Sequence, residues 1–171
     1  MGMDVMGKQP KNEAGKYFRN NCWWWRPLAA YVQHIAPEIT SACKYWQSND
    51  GDGLDAEGAE KLAKEIFTSI EDGRAAAYIS IYQAEIAALP NEGCDLCGST
   101  GVRDDAVGRD LGMPTRRIME EGHPRQGETG WCNACDGKGW KPPSAASYPI
   151  SLENIKDFAG FLESCGGFQI F

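Results

Sequence analysis

The sequence predicts a mainly α-helical protein with a small β contribution, organised as a helical domain with an inserted glycine-rich segment that holds four cysteines. Apolar residues recur every three or four positions in several stretches, which is the pattern of helices that bury one face. Residues 91–143 depart from it, because they are rich in glycine, contain four of the seven cysteines and have no long apolar run. One domain is the default at 171 residues, so we expect residues 1–171 to form a single domain with 91–143 as an insertion within it.

The composition is that of a globular and acidic protein. Hydrophobic residues make up 42% and charged residues 24%, which is too apolar for a disordered chain. The net charge of −7 argues against a non-specific grip on DNA or on an anionic membrane, since both need a basic surface. The sequence shows neither the apolar run of about 18 residues that a membrane helix requires nor an apolar signal region. These features argue against a membrane protein, a secreted disulfide mini-protein and a histone-like binder.

Charge is distributed unevenly along the chain. Residues 1–49 carry six Lys or Arg against three Asp or Glu, whereas residues 50–93 carry three against ten. A basic, tryptophan-rich beginning is thus followed by a strongly acidic stretch. The acidic side chains either solvate exposed helix faces or form a negative surface that meets a basic partner or imitates nucleic acid, and both interpretations stay open.

The first third of the chain is expected to contain an arm and two helices. Residues 1–20 lack apolar periodicity and predict an extended arm. Pro27 suits the first position of a helix, and apolar residues follow it at helical spacing as far as Ile35. Pro37 interrupts that helix or starts another, which we expect to continue to Trp46.

A helical hairpin and a last helix are predicted further along. Asp55 is the expected N-cap of the first hairpin helix, Gly73 ends that helix, and Pro90 closes the second. Ser151 caps the last helix, and the glycine pair 166–167 ends it. The apolar tail that follows predicts a short terminal strand, made of Phe168, Ile170 and Phe171.

The strongest motif is a pair of Cys-x-x-Cys sequences, whose members are Cys94, Cys97, Cys132 and Cys135. Four thiolates match the tetrahedral preference of zinc, so we predict one structural Zn²⁺. Glycines follow each pair, where a tight turn aims backbone N–H groups at the sulfur atoms. Residues 132–139 fit Cys-x-x-Cys-x-Gly-x-Gly throughout, whereas residues 94–101 have Ser99 in place of the first glycine. A redox pair or a disulfide framework is disfavoured by the odd number of cysteines and the lack of a signal region.

These two half-motifs resemble the cysteine-rich zinc module of DnaJ-type chaperones. The resemblance covers residues 94–101 and 132–139, and that module uses four such repeats for two zinc ions, so two repeats imply one site. The sequence has no His-Pro-Asp tripeptide of a J-domain, which argues against a complete co-chaperone. We call the half-motifs 94–101 and 132–139 the two knuckles. We expect the loop 102–130 to project from them, either as a recognition loop or as an insertion without a binding role. His123 is expected to be a loop histidine rather than a ligand.

The run Trp23, Trp24, Trp25 and Arg26 is the second unusual feature. Three consecutive tryptophans cannot all face one core, because neighbouring side chains point in different directions. They either wedge the N-terminal arm between helices or place at least one indole at a groove, an interface or a stacking site for a base.

Catalytic signals are sparse. Asp50, Asp52 and Asp55 suggest calcium at first, but the spacing does not fit an EF-hand loop, and a turn followed by an N-cap explains them. Only His34 and His123 are available as bases near neutral pH, and no nucleophile-elbow, phosphate-loop or zinc-protease motif occurs. The absence of these motifs favours a non-enzymatic protein without excluding an enzyme, and a metal-dependent hydrolase built on the three aspartates ranks last among the hypotheses.

Several segments are similar to those of a set of phage and prophage proteins. The similarity lies in the segments 1–10, 17–28 and 48–54, in both cysteine knuckles and in Cys165–Phe168. It implies a bacterial cytoplasmic context and an accessory role, and it carries no activity. The leading hypothesis is a non-enzymatic, zinc-stabilised protein that binds a host or phage protein. Inhibition of a defence system such as CRISPR is one form that this binding could take. The alternative is a nucleotide or single-stranded nucleic-acid binder that stacks bases on the Trp/Arg run and contacts phosphates with Arg116 and Arg117.

Overall fold

A computed structural model describes residues 2–171 and confirms a mainly helical protein with small sheets. The strands in chain order are β1 (Gly2–Gly7), β2 (Tyr17–Asn21), β3 (Glu92–Gly93), β4 (Trp140–Lys141) and β5 (Phe168–Ile170). The α-helices are α1 (Cys22–Ile35), α2 (Pro37–Thr40), α3 (Ala56–Glu71), α4 (Arg74–Ala88), α5 (Ala106–Asp110) and α6 (Leu152–Ser164). Within residues 2–171, no helix has the length and apolar character needed to cross a bilayer.

The chain divides into two compact units. One comprises the chain up to Glu85 together with Ser147–Phe171, and the other comprises Ile86–Ala146. The first unit holds the large apolar core, whose biggest fully buried side chains include Trp25, Tyr31, Phe158 and Phe168. In the second unit the buried cluster consists of the four cysteines. The two units are therefore stabilised by different means.

The expectation of an N-terminal arm is wrong. β1 is the central strand of an antiparallel sheet of order β2-β1-β5, and Val5 pairs with Phe18 on one side and Ile170 on the other. Val5 and Ile170 are fully buried. The apolar pattern of β1 is short, and its partner β5 lies at the other end of the chain, so local periodicity does not reveal it. The predicted terminal strand, in contrast, is present as β5.

Helix α1 begins five residues earlier than predicted. The side chain of Asn21 accepts hydrogen bonds from the backbone N–H groups of Trp23 and Trp24, at 3.0 and 3.1 Å. This cap fixes the start of the helix at Cys22 and leaves Pro27 in the second turn rather than at the first position. Pro27 therefore removes one intrahelical hydrogen bond, which the buried packing of its ring offsets.

The helix expected to reach Trp46 ends at Thr40. The carboxylate of Asp52 accepts hydrogen bonds from the backbone N–H groups of Lys44 and Tyr45, at 2.6 and 3.0 Å. The indole N–H of Trp46 donates to the carbonyl of Thr40 at 3.1 Å. These contacts hold the segment after α2 in turns, because they take up groups that a continuing helix would use.

The helical hairpin and the last helix follow the prediction. Asp55 caps α3 by accepting from the Gly58 N–H at 2.8 Å, and Ser151 caps α6 by accepting from the Asn154 N–H at 3.2 Å. Gly73 follows α3 with φ of +84°, a conformation that glycine adopts at little cost. Helices α3 and α6 pack against each other through apolar stripes that are among the best buried parts of the chain, with Leu62, Ile66, Ile155 and Leu162 at 0% exposure.

Candidate metal centre

The two cysteine knuckles have the same backbone conformation. In each knuckle, three of the four residues that follow the second cysteine have positive φ. The equivalent pairs are Gly98 and Asp136 (56° and 54°), Ser99 and Gly137 (63° and 74°), and Gly101 and Gly139 (76° and 84°). The shared conformation explains why glycine recurs at these positions. It also shows that Ser99, which departs from the sequence motif, still takes the left-handed conformation of the glycine it replaces.

The four thiols converge on one point. The Sγ atoms of Cys94 and Cys132 are 4.0 Å apart, those of Cys97 and Cys135 are 3.7 Å apart, and all four lie within 4.8 Å of one another. A tetrahedral ion with metal–sulfur bonds of about 2.3 Å separates its ligands by roughly 3.8 Å. Disulfide-bonded sulfurs would be about 2.05 Å apart. The cluster therefore fits a tetrahedral metal ion, whereas neither close pair of sulfurs is a disulfide.

Backbone groups support the sulfurs. The N–H of Gly101 donates to the Sγ of Cys97 at 3.3 Å, and the N–H of Gly139 donates to the Sγ of Cys135 at 3.2 Å. These two bonds are equivalent in the two knuckles. Hydrogen bonds of this kind stabilise thiolate over thiol and orient the sulfur lone pairs, as expected around a metal.

The protonation of the thiols favours a bound cation. Burial raises the pKa of Cys94, but hydrogen bonds from Cys97 and its backbone outweigh burial and lower that pKa to about 7. Burial and the neighbouring thiols raise the pKa of Cys135 to about 12. Cys94 thus forms a thiolate more readily than Cys132 and Cys135, whose pKa values burial raises, because negative charge accumulates in a buried space. A divalent ion removes that obstacle, so the donor set fits a metal such as zinc.

The loop between the knuckles does not project from them as expected. Its segments fold back, with an antiparallel bridge between Arg117 and Thr129. The buried imidazole of His123 donates from Nε2 to the Asp136 carbonyl at 2.7 Å and accepts the Arg125 N–H at Nδ1. Arg125 donates from Nη1 to the Gly137 carbonyl at 3.1 Å. The loop therefore covers the second knuckle, and no sequence motif indicated the roles of His123 and Arg125.

Comparisons with protein-family models, with curated proteins and with solved structures each return no match to this chain.

The tryptophan run is split between the core and the surface. Trp25 is fully buried and its indole N–H donates to the Trp46 carbonyl at 2.6 Å, so its assignment to a binding surface is wrong. Trp24 is half-buried beside a shallow cavity of about 200 Å³. Trp23 keeps 46% of its surface exposed. This division follows from the 100° step of a helix, which gives consecutive side chains different surroundings.

Trp23 and Arg26, which are exposed, form a cluster with the half-buried Tyr148. The rings of Trp23 and Tyr148 are tilted, with centroids 4.9 Å apart. Arg26 donates from Nη1 to the Tyr148 hydroxyl at 2.9 Å, and its guanidinium carbon lies 5.6 Å from the ring centroid. The sequence indicated Trp23 and Arg26, but nothing local to them pointed to Tyr148. We call Trp23, Arg26 and Tyr148 the aromatic cluster.

Arg116 and Arg117 are exposed residues of the second unit. The guanidinium carbon of Arg116 lies 3.8 Å from the ring centroid of Trp131, a cation–π contact. Arg117 takes part in the backbone bridge to Thr129. The aromatic cluster belongs to the first unit, so the structure does not assign these arginines to a common site with it.

The three aspartates have structural roles. Asp52 binds the backbone of Lys44 and Tyr45, Asp55 caps α3, and Asp50 accepts from the Ser48 hydroxyl. Within residues 2–171, the four cysteines are the one group of three or more His, Cys, Asp or Glu residues whose ligand atoms are close enough to share an ion. The aspartates therefore do not form the open carboxylate site that a hydrolase would need.

Proposed function

We propose that the protein is a non-enzymatic binding protein whose four-cysteine centre holds one structural Zn²⁺. The four-sulfur donor set, at tetrahedral spacing, supports zinc over hard cations that prefer oxygen ligands. Four protein ligands complete the coordination of zinc and leave no position for water or substrate. The zinc would therefore stabilise the knuckles without reacting.

The metal would supply the local order of the zinc-knuckle insertion 91–143. The buried cluster of this unit is made of the cysteines, with Ile118 the further buried apolar side chain nearby. Such a segment has too little apolar area to fold by burial alone, so ligand binding and folding become one event. The insertion within one helical domain is part of this proposal.

The partner would be a host or phage protein in a bacterial cytoplasm, the context that the phage resemblance implies, and inhibition of a defence system is one accessory role in that context. The observation that supports protein binding is the aromatic cluster, in which Trp23 and Arg26 are exposed. Tryptophan, tyrosine and arginine dominate the energetics of protein interfaces, and here all three lie together with Trp23 46% exposed. The closed metal centre also supports a binding role, because a zinc ion with four protein ligands stabilises the fold and has no open position for a reaction.

Affinity capture from expressing or infected cells tests this function. We expect a reproducible partner with the wild type that is lost with Trp23→Ala. Tyr45→Ala is the matched control, because Tyr45 is a large aromatic residue with 58% of its surface exposed. Capture of no partner by the wild type, together with turnover of a small substrate, would contradict the proposal.

A nucleotide or single-stranded nucleic-acid binder is the second candidate, and the exposed indole of Trp23 beside Arg26 favours it. Stacking of a base on an indole quenches its fluorescence. Titration with nucleotides and oligonucleotides should then quench the wild type more than Trp23→Phe, with a salt-dependent affinity. Equal signals from the two proteins would exclude this candidate at the aromatic cluster.

A further inference from the structure

Helix α4 is apolar and yet little buried. Its 15 residues carry two charged side chains, Arg74 and Glu85, and Ala75 is its one fully buried residue. Ile81 keeps 61% of its surface exposed. A helix this apolar is expected to be covered on most sides, so one of its faces lacks a partner among residues 2–171.

The uncovered face is narrow and shaped for close contact. Tyr78, Ile79 and Tyr82 pack against the core. On the other side, Ala77, Ile81 and Ala84 are exposed and lie within about 60° of one another around the helix axis. Alanines flanking one large aliphatic side chain allow a second helix to approach to about 8 Å.

The two charged residues of α4 favour a second copy of this helix as the occupant of the exposed face. Arg74 and Glu85 lie on the same edge of the face, roughly 20–40° from Ile81 around the axis. They are 11 positions apart, so their midpoint falls between Ile79 and Ser80, close to Ile81. In a second copy of α4 that runs antiparallel about that midpoint, each Arg74 is level with the Glu85 of the other copy. In a parallel pair, each Arg74 would instead be level with the other Arg74 and each Glu85 with the other Glu85, so no Arg74–Glu85 pair would form.

Ion pairing within the chain leaves Glu85 available. Arg74 already contacts Glu65 at 2.8 Å and Asp72 at 2.7 Å, and its guanidinium has further donors. Glu85 makes no ion pair anywhere in residues 2–171. An antiparallel copy therefore gives Glu85 the cation that residues 2–171 of its own chain do not provide.

We infer that the exposed face of α4 is a self-association surface, on which two copies of this chain pair antiparallel through Ile81 and two Arg74–Glu85 ion pairs. One short helix buries less area than a standard interface of about 800 Å² per partner, so the dimer is weak, with Kd on the order of 10⁻⁵ to 10⁻⁴ M. This inference does not depend on the proposed function.

Sedimentation equilibrium of the zinc-loaded chain between about 5 and 500 µM tests the inference, since this range brackets the expected Kd. The wild type should pass from monomer to dimer across this range. Glu85→Arg and Ile81→Glu should each weaken dimerisation about tenfold or more, because one repels the opposing Arg74 and the other buries an unpaired charge. Glu153→Arg, the same change at an exposed α6 position, should dimerise like the wild type.

The charge-swapped double variant Arg74→Glu/Glu85→Arg decides the antiparallel register. It should recover dimerisation lost in Glu85→Arg, because the opposing pair is re-formed with reversed signs. Circular dichroism confirms that each variant is folded. A wild type that stays monomeric at the highest concentration, or a dimer that neither Glu85→Arg nor Ile81→Glu weakens, would overturn the inference. A double variant no better than Glu85→Arg would overturn the antiparallel pairing.

Discussion

The imidazole Nε2 of His123 lies 2.7 Å from the carbonyl oxygen of Asp136, the residue that follows Cys135. Through this bond the middle of the long loop is attached to the second knuckle. The other ring nitrogen accepts the Arg125 N–H at 3.0 Å, so both nitrogens of a buried side chain are satisfied. The loop is therefore part of the knuckle structure rather than an appendage.

Substitution of His123 should loosen the loop without removing the metal. His123→Ala leaves the Asp136 carbonyl and the Arg125 N–H without their partner, which costs about 1–3 kcal/mol of stability in the second unit. Hydrogen exchange of the zinc-loaded chain should show faster exchange around residues 118–130. His34→Ala, which changes an exposed histidine of the first unit, is the control and should leave that exchange unchanged. Loss of zinc from His123→Ala would indicate a ligand role instead.

Equivalent positions of the two knuckles should respond to substitution with opposite signs. Ser99→Gly relieves a positive φ of 63° and is expected to stabilise the zinc-loaded unit by about 1 kcal/mol. Gly137→Ser should destabilise it, because a Cβ there would lie 2.8 Å from Cδ1 of Trp131. Denaturant unfolding at fixed free zinc measures both. Changes of the same sign in the unfolding free energy of the two variants would refute the equivalence of the knuckles.

The tryptophan run should divide into a core residue and a surface residue. Trp25→Ala removes a fully buried indole and its bond to the Trp46 carbonyl, and should cost about 3–5 kcal/mol of unfolding free energy. Trp23→Ala should cost about 1 kcal/mol or less, because Trp23 is 46% exposed. Urea unfolding followed by circular dichroism compares the two. Similar losses would contradict the burial pattern.

The lowered pKa of the Asp52 carboxyl predicts that the protein loses stability in acid. Burial raises the pKa of this carboxyl, but hydrogen bonds from the backbone of Gly53, Tyr45 and Lys44 outweigh burial and hold the pKa below its ordinary value of 3.8. A lowered pKa means that the stabilisation is complete above the ordinary value and disappears as pH falls through the lower native value. Unfolding measured from about pH 6 to about pH 2 should therefore show a smaller acid dependence in Asp52→Asn than in the wild type. Asp50→Asn is the control. Identical pH profiles of Asp52→Asn and wild type would refute this role.

Local signals predicted the elements whose determinants lie close together in sequence. Asp55 and Ser151 cap their helices within three residues, and the thiols of each Cys-x-x-Cys pair are brought together by one turn. The sequence also led to the correct grouping of the two cysteine pairs, because tetrahedral metal ligation requires four donors.

Long-range contacts account for what the sequence did not reveal. β1 depends on β5 at the opposite end of the chain, and the early end of α2 depends on Asp52 capturing the backbone of Lys44 and Tyr45. The loop fold depends on His123 reaching Asp136. None of these partners is set by periodicity or by a motif, so they emerge only from the folded chain.

The metal content of the purified chain tests the central claim most directly. Elemental analysis of freshly purified protein should find about one zinc per chain, and the double variant Cys97→Ser/Cys135→Ser should lose it, whereas Cys43→Ser, at a buried cysteine of the first unit, should retain it. Wild-type protein without stoichiometric metal, or a double variant that still binds one zinc ion, would contradict the account.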